Sequence, residues 1–206
     1  MEKKRLVITI ARSYGSGGLT MAKKLSEELG IPVYDKEILR MASDESGVNE
    51  ELFGRIDEKI KKIFMSTKGK YKGKPLSPNH SGFTSDDNLF ELQAEVIRRI
   101  AETEDCIFVG RCADYILKDK DYVISMYMYA SEEDCLIRLR DTCSDSDEVL
   151  IARMQEIDRN RAEYYKYFTG HKWDDARNYD FCINTGDMGY DKLIKAVKAY
   201  IEIKNS

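Results

Sequence analysis

The sequence has no apolar run longer than a strand. The longest, such as Leu6 to Ala11, falls far short of a membrane-spanning helix. The start, Met1-Glu2-Lys3-Lys4-Arg5, leads into only about six apolar residues before Arg12, too few for the apolar region of a signal peptide. Histidine is scarce, with two residues. The five cysteines, Cys106, Cys112, Cys135, Cys143 and Cys182, are odd in number, widely spaced and include no C-x-x-C pair. This predicts free thiols in a cytoplasmic protein and argues against a structural zinc site. Basic residues are not in excess: 33 Lys and Arg against 37 Asp and Glu leave a net charge of −4. An overall basic nucleic-acid binder is therefore not expected, and neither is a membrane partner. What is present suffices for a core. The 206 residues are 42% hydrophobic and 34% charged, and one domain over residues 1–206 is expected, as a monomer or homodimer.

Strand-like and helix-like stretches alternate along the chain. Arg5 to Ala11 is β-rich and apolar on both faces, as a buried parallel strand is. Leu19, Ala22, Leu25 and Leu29 follow at helical spacing, with Gly30 as the stop. Ile31 to Tyr34, Cys106 to Gly110, Tyr122 to Ala130 and Tyr179 to Asn184 read as further strands. Helices are expected from Asp35, as N-cap, to about Gly47, and from about Asn49 to Phe64. Others are expected over Leu89–Glu102, from Ala113 to Leu117, from Ser131 to Asp141, over Asp145–Tyr167 and over Tyr190–Ile203. The alternation predicts an α/β domain with a mainly parallel sheet. Residues 66–85 break the pattern. They carry Lys68, Lys70, Lys72 and Lys74 among glycines and prolines, with no acid, and read as a mobile loop, either solvated or gripping a substrate.

The stretch Arg12-Ser-Tyr-Gly-Ser-Gly-Gly-Leu-Thr20 joins the first strand to the first helix. Glycines let backbone N–H groups converge, and a helix start adds partial positive charge, so Gly15, Ser16, Gly17, Gly18, Leu19 and Thr20 predict a phosphate cradle. The Walker pattern G-x-x-x-x-G-K-[ST] is incomplete, because Gly18 occupies the lysine position. Phosphoryl transfer needs a cation there, and Arg12 is the nearest candidate, with a surface ion pair as its other reading.

Four segments in series carry a family resemblance. Ile8 to Gly18 resembles the S-R-x-x-G-S-G-G opening of the cytidylate kinase-like family, relatives of bacterial cytidylate kinases among the P-loop nucleoside monophosphate kinases. Val33-Tyr-Asp-Lys-Glu-Ile38 and Val109-Gly-Arg-Cys-Ala-Asp-Tyr-Ile-Leu117 are similar to its second and third motifs. Ile157-Asp-Arg-Asn-Arg-Ala162, then Tyr164-Tyr165, Thr169-Gly170, Trp173 and Asn178-Tyr-Asp180, resemble its C-terminal signature. The resemblance implies a three-layer fold with a five-stranded sheet, a helical NMP-binding region over about 35–104 and a LID over about 145–178. The reaction it implies is transfer of the ATP γ-phosphoryl group to CMP or dCMP with Mg²⁺.

By that resemblance Asp35 lies near the acceptor's sugar and phosphate, Arg111 beside the acceptor, and Asp158 and Arg161 in the LID. Arg159, also on the charged helix, joins Arg12, Arg111, Asp158 and Arg161 as a catalytic candidate. Asp114 lies three residues beyond Arg111 and can pair with it or hold Mg²⁺ through water; no metal ligand is assigned. Lys36 and Arg40 reach either an acceptor phosphate or solvent, and Gln93 either a base edge or solvent. The Tyr164–Phe168 aromatics and Trp173 read as packing residues or a base-stacking platform. The chain differs from cytidylate kinases proper in Gly18, in Lys36-Glu37-Ile38 after the aspartate, in Val109 and Cys112 around Gly-Arg, and in Met154 beside Arg153. A different small-molecule acceptor, and a nucleotide-binding protein with little turnover, are the alternatives these differences raise.

Overall fold

The computed structural model describes residues 5–59, 69–186 and 188–205. Five strands form one sheet: β1 (Val7–Arg12), β2 (Val33–Tyr34), β3 (Cys106–Val109), β4 (Val123–Tyr129) and β5 (Phe181–Asn184). Their spatial order is β2-β3-β1-β4-β5, and every neighbouring pair is parallel. The central strand explains the order. Val7 to Ala11 is buried at each position, so β1 needs strands on both edges and helices on both faces.

On one face α1 (Gly18–Leu29) and α8 (Tyr190–Asn205) cover Ile8, Ile10 and Met126 with Leu25, Leu193 and Val197. On the other, α4 (Asp86–Thr103) and α5 (Ala113–Ile116) cover Val7 and Phe108 with Ile97, Ala101 and Ala113, and α2 (Glu37–Ser46) adds Ile38 and Ala42. The expected α/β class is thus the observed one. No helix among the described residues is long and apolar enough to cross a membrane.

One expectation changes, and one lies outside the described residues. The N-cap of α2 is Lys36 rather than Asp35, with no side-chain cap. Glu37 instead reaches back to accept the Asp35 N–H at 3.0 Å, which leaves the Asp35 carboxylate free for tertiary contact. The helix after it, α3 (Glu50–Lys59), is described only to Lys59; its expected continuation to Phe64 lies outside the described residues, as do residues 66–68 of the basic loop.

Two helices remain. α6 (Glu132–Arg140) is capped by Ser131, whose hydroxyl accepts the Asp134 N–H. α7 (Asp147–Thr169) is the long charged helix. Near its start Leu150 and Met154 pack with Leu136 and Leu139 of α6. Near its end Phe168 stacks on Phe90 of α4, ring centroids 3.9 Å apart. The described part of the basic loop meets that same end: the N–H groups of Lys70 and Tyr71 donate to the carbonyls of Tyr167 and Phe168 at 3.1 and 3.0 Å.

Candidate active site

The glycine loop leaves the carboxyl end of β1 and turns into α1. Gly17, the N-cap of α1, has φ 78°, a conformation that strains any L-residue. Ser16 is fully buried and fixes the loop from inside. Its hydroxyl donates to the Ser13 carbonyl at 2.8 Å, and its own carbonyl accepts from the Thr185 hydroxyl at 2.7 Å and Arg138 Nη1 at 3.3 Å. The loop is therefore held by its own turn and by the segment after β5. Beyond it Leu19 and Thr20 are exposed in the first turn of α1, where N–H groups have no partner within the helix. The glycine loop thus meets a helix start at the place where the sequence predicts an anion cradle.

Beside the loop lies a cavity of about 410 Å³. It opens at the carboxyl ends of β1, β2 and β3, where open α/β sheets place their ligands, and α7 forms its wall. Arg12, Asp35, Lys36, Arg111, Asp114 and Arg161, all expected at the site, line it together. Asn160, Tyr164, Tyr165 and Trp173 line it too; the sequence offers the aromatics as packing or as a base-stacking platform and gives Asn160 no site role. A signal for most of them existed. Ile157, Asn160, Arg161, Tyr164 and Tyr165 follow the spacing i, i+3, i+4, i+7, i+8, which is one helix face.

Arg111 sits in an unusual turn. Gly110, Arg111 and Cys112 have φ values of 78°, 57° and 55° in succession. Two successive non-glycine residues in the left-handed region cost about 1–3 kcal/mol each, and such strain concentrates at functional sites. Two residues on, Asp114 is buried and accepts the Tyr165 hydroxyl at 2.6 Å, tying the turn to α7. Burial pushes the Asp114 carboxyl up to about 6, against the lowering effect of that hydrogen bond, and the Tyr165 hydroxyl is pushed up by burial and by Asp114.

α7 also clamps the glycine loop. The Asp158 carboxylate accepts the Tyr14 N–H at 2.8 Å and pairs with Arg161 at 3.0 Å. Arg161 Nη1 donates in addition to the Arg12 carbonyl at 3.0 Å. Burial raises the Asp158 carboxyl and Arg161 opposes the rise. The Arg12 guanidinium lies 3.7 Å from Asp35. Burial and Arg161 push it down to about 10, with Arg111 adding to the shift and Asp35 and Asp158 opposing it, so it stays charged at neutral pH.

Asp158, Arg40, Arg159 and Gln93, all expected at the site, lie outside the cavity lining. Arg40 and Arg159 are exposed outside its lining, and Arg153 pairs with Asp145 at 2.8 Å instead. Gln93 is buried inside α4 rather than solvated; its amide nitrogen contacts the Leu89 carbonyl at 3.4 Å, and its oxygen finds no hydrogen-bond partner among the described residues. The loop residues Gly15 to Thr20 lie outside the lining as well. Loop and cavity are two compartments, and Arg12 lies where they join.

A family model described as the cytidylate kinase-like family matches residues 7–187. The cytidylate kinase of Pyrococcus horikoshii is 26% identical over 206 residues, covering 98% of this chain and 91% of the relative. That of Methanothrix thermoacetophila is 28% identical over 182 residues, covering 88% and 89%. Among solved structures, an uncharacterized protein from Eubacterium ventriosum superimposes with a TM-score of 0.70 at 27% identity, over 96% of this chain and 99% of the other. A shikimate kinase from Bacteroides thetaiotaomicron gives 0.55 at 13% identity, over 96% and 98%. The second likeness is one of fold, and it bears out the three-layer, P-loop kinase-like arrangement expected from the sequence.

Proposed function

The chain belongs to the cytidylate kinase-like family, and from that premise we propose that it transfers the γ-phosphoryl group of ATP to a nucleoside monophosphate, CMP or dCMP. The observation that carries the reading is the convergence of Arg12, Arg111 and Arg161 on one cavity beside a glycine loop. Phosphoryl transfer asks for positioning and positive charge around the transferred group rather than covalent chemistry. The loop N–H groups and the start of α1 hold the donor phosphates. Arg111 and Arg161 draw the acceptor phosphate into the cavity and offset charge on the equatorial oxygens. An acceptor phosphate oxygen attacks, the bond from the γ-phosphorus to the bridging oxygen breaks, and ADP leaves.

Asp158 acts through Arg161 and Tyr14 by fixing α7 against the loop. Tyr164 and Trp173 offer flat apolar walls for a base, and Trp173 is itself braced edge-on by Tyr127 at 5.4 Å. Mg²⁺ would be held mainly by the nucleotide phosphates and water, and would offset charge on the transferred group. No group of three His, Cys, Asp or Glu side chains suited to a resident ion is found among the described residues. In this reading residues 35–104 form the acceptor-side region and residues 145–178 the LID.

The test is ADP release from ATP and Mg²⁺ against CMP, dCMP, UMP, AMP, GMP and a set of non-nucleotide alcohols. Turnover should be highest with CMP or dCMP. Turnover confined to an alcohol assigns a different acceptor, and tight ATP binding with no turnover on any acceptor assigns a nucleotide-binding protein.

A further inference from the structure

In the pattern G-x-x-x-x-G-K, Gly17 takes the second glycine, so residue 12 takes the first glycine and residue 18 the lysine. This chain has Arg12 and Gly18 there. Glycine and cation have exchanged places, and the structure gives a steric reason for it. A Cβ built on Gly18 would lie 2.6 Å from Arg12 Cβ and 2.9 Å from Arg12 Cγ. Gly18 is helical, so space alone, not backbone conformation, excludes a side chain there. At the other end of the same arginine, a Cβ on Gly110 would collide with Arg12 Nη1. The side chain therefore leaves β1, crosses the first residue of α1 and ends over the Gly110 turn beside Asp35.

We propose that Arg12 is the catalytic cation of the donor phosphates, taking over the task of the loop lysine, and that Gly18 is the space kept open for it. The inference rests on the kinase reading above. Three features support it. Arg12 is fixed at its backbone, where its carbonyl accepts from Arg161. Its ion pair to Asp35, at 3.7 Å, is longer than a tight guanidinium–carboxylate contact and leaves donors for another anion. The cavity lining carries Arg12, Lys36, Arg111 and Arg161 against Asp35 and Asp114, an excess of positive charge that a bound phosphate relieves.

Four variants test the exchange: Arg12→Gln, Arg12→Gly, Gly18→Lys and the double variant Arg12→Gly with Gly18→Lys. ATP affinity is measured by calorimetry without acceptor, alongside kcat and Tm. Arg12→Gln should keep its Tm, bind ATP at least tenfold more weakly and lose about a hundredfold to a thousandfold in kcat. Gly18→Lys alone should lower Tm, because the new stem and Arg12 claim the same space. The double variant should bind ATP more tightly than Arg12→Gly and recover at least tenfold of its kcat. An Arg12→Gln variant with unchanged ATP affinity and kcat overturns the proposal. So does a Gly18→Lys variant of undiminished Tm, and so does a folded double variant no better than Arg12→Gly. Wild-type protein that binds no ATP overturns the kinase reading and this proposal together, whereas wild-type binding with an indifferent Arg12→Gln overturns this one alone.

Discussion

Arg111 and Cys112 keep left-handed backbones that their side chains resist, and the strain is held by neighbours rather than by the turn itself. Glycine relieves such strain, so Arg111→Gly should leave Tm unchanged or raised while abolishing turnover. A calorimetric scan beside a kcat measurement checks this; a large fall in Tm would mean that the Arg111 side chain props the fold. Asp114 gives a second prediction at this scale. Its folded pKa, about 6, lies above its ordinary value of 3.8. The native state thus binds the proton more readily than the unfolded chain, and the stability this group provides at low pH is lost as pH rises from about 4 through 6. Asp114→Asn cannot titrate, so its Tm relative to wild type should climb over that window and level off above about pH 7. A Tm difference independent of pH would show that Asp114 is not titrating in place.

Among the elements, α7 does most to assemble the site, since it meets α6 at one end, the glycine loop in the middle and α4 at the other. Its grip on the loop runs through one carboxylate. Asp158→Ala removes the acceptor of the Tyr14 N–H and the partner of Arg161, and should cost about 2 kcal/mol of stability with a fall in kcat. Asp158→Asn keeps an oxygen for Tyr14 and should cost less; equal losses from urea unfolding would place the effect elsewhere. The segment after residue 68 reads as a free basic loop by composition alone. Its contacts say more. Beyond the two bonds to the end of α7, the Lys72 N–H donates to Glu91, the Leu76 N–H donates to Asn88 at 2.6 Å, and Tyr71 packs edge-on to Phe90. The amides of Lys70, Tyr71, Lys72 and Leu76 should therefore exchange slowly with solvent even without nucleotide, and fast exchange at all four would return the segment to the free-loop reading.

For the whole molecule, a chain of net charge −4 gathers three guanidinium groups at one crevice, so binding of a polyanion is a local matter of charge and not a global one. A ligand that binds only the folded state stabilises it by about 2.7 kcal/mol at a hundredfold excess over Kd. For a chain of this size ATP should raise Tm by roughly 5–10 °C. Added salt should shrink the shift, because the contacts are ionic. Thermal melts with and without ATP at two ionic strengths check both, and an unmoved Tm at saturating ATP would remove the nucleotide from the loop.

Local pattern was enough for the α/β class, the parallel strands, the glycine loop and the serine cap of α6. Each depends on residues adjacent in sequence, with their own periodicity or turn chemistry. Position at the carboxyl ends of β1 and β3 also sufficed to bring Arg12 and Arg111 under suspicion, because loops there share one crevice, whereas Asp35 and Arg161 came in through the family resemblance. Packing decided the rest. Asp35 reads as a cap from its position before a helix, yet Arg12, more than twenty residues away in sequence, claims its carboxylate. Arg159 and Arg161 are equal candidates as letters, but helix phase turns one to solvent and the other to the Arg12 carbonyl. Gly18 looks in sequence like the loss of a lysine. Only the path of the Arg12 side chain, threaded over Gly18 and onto Gly110, reveals it as room for another cation, since excluded volume is a property of neighbours in space.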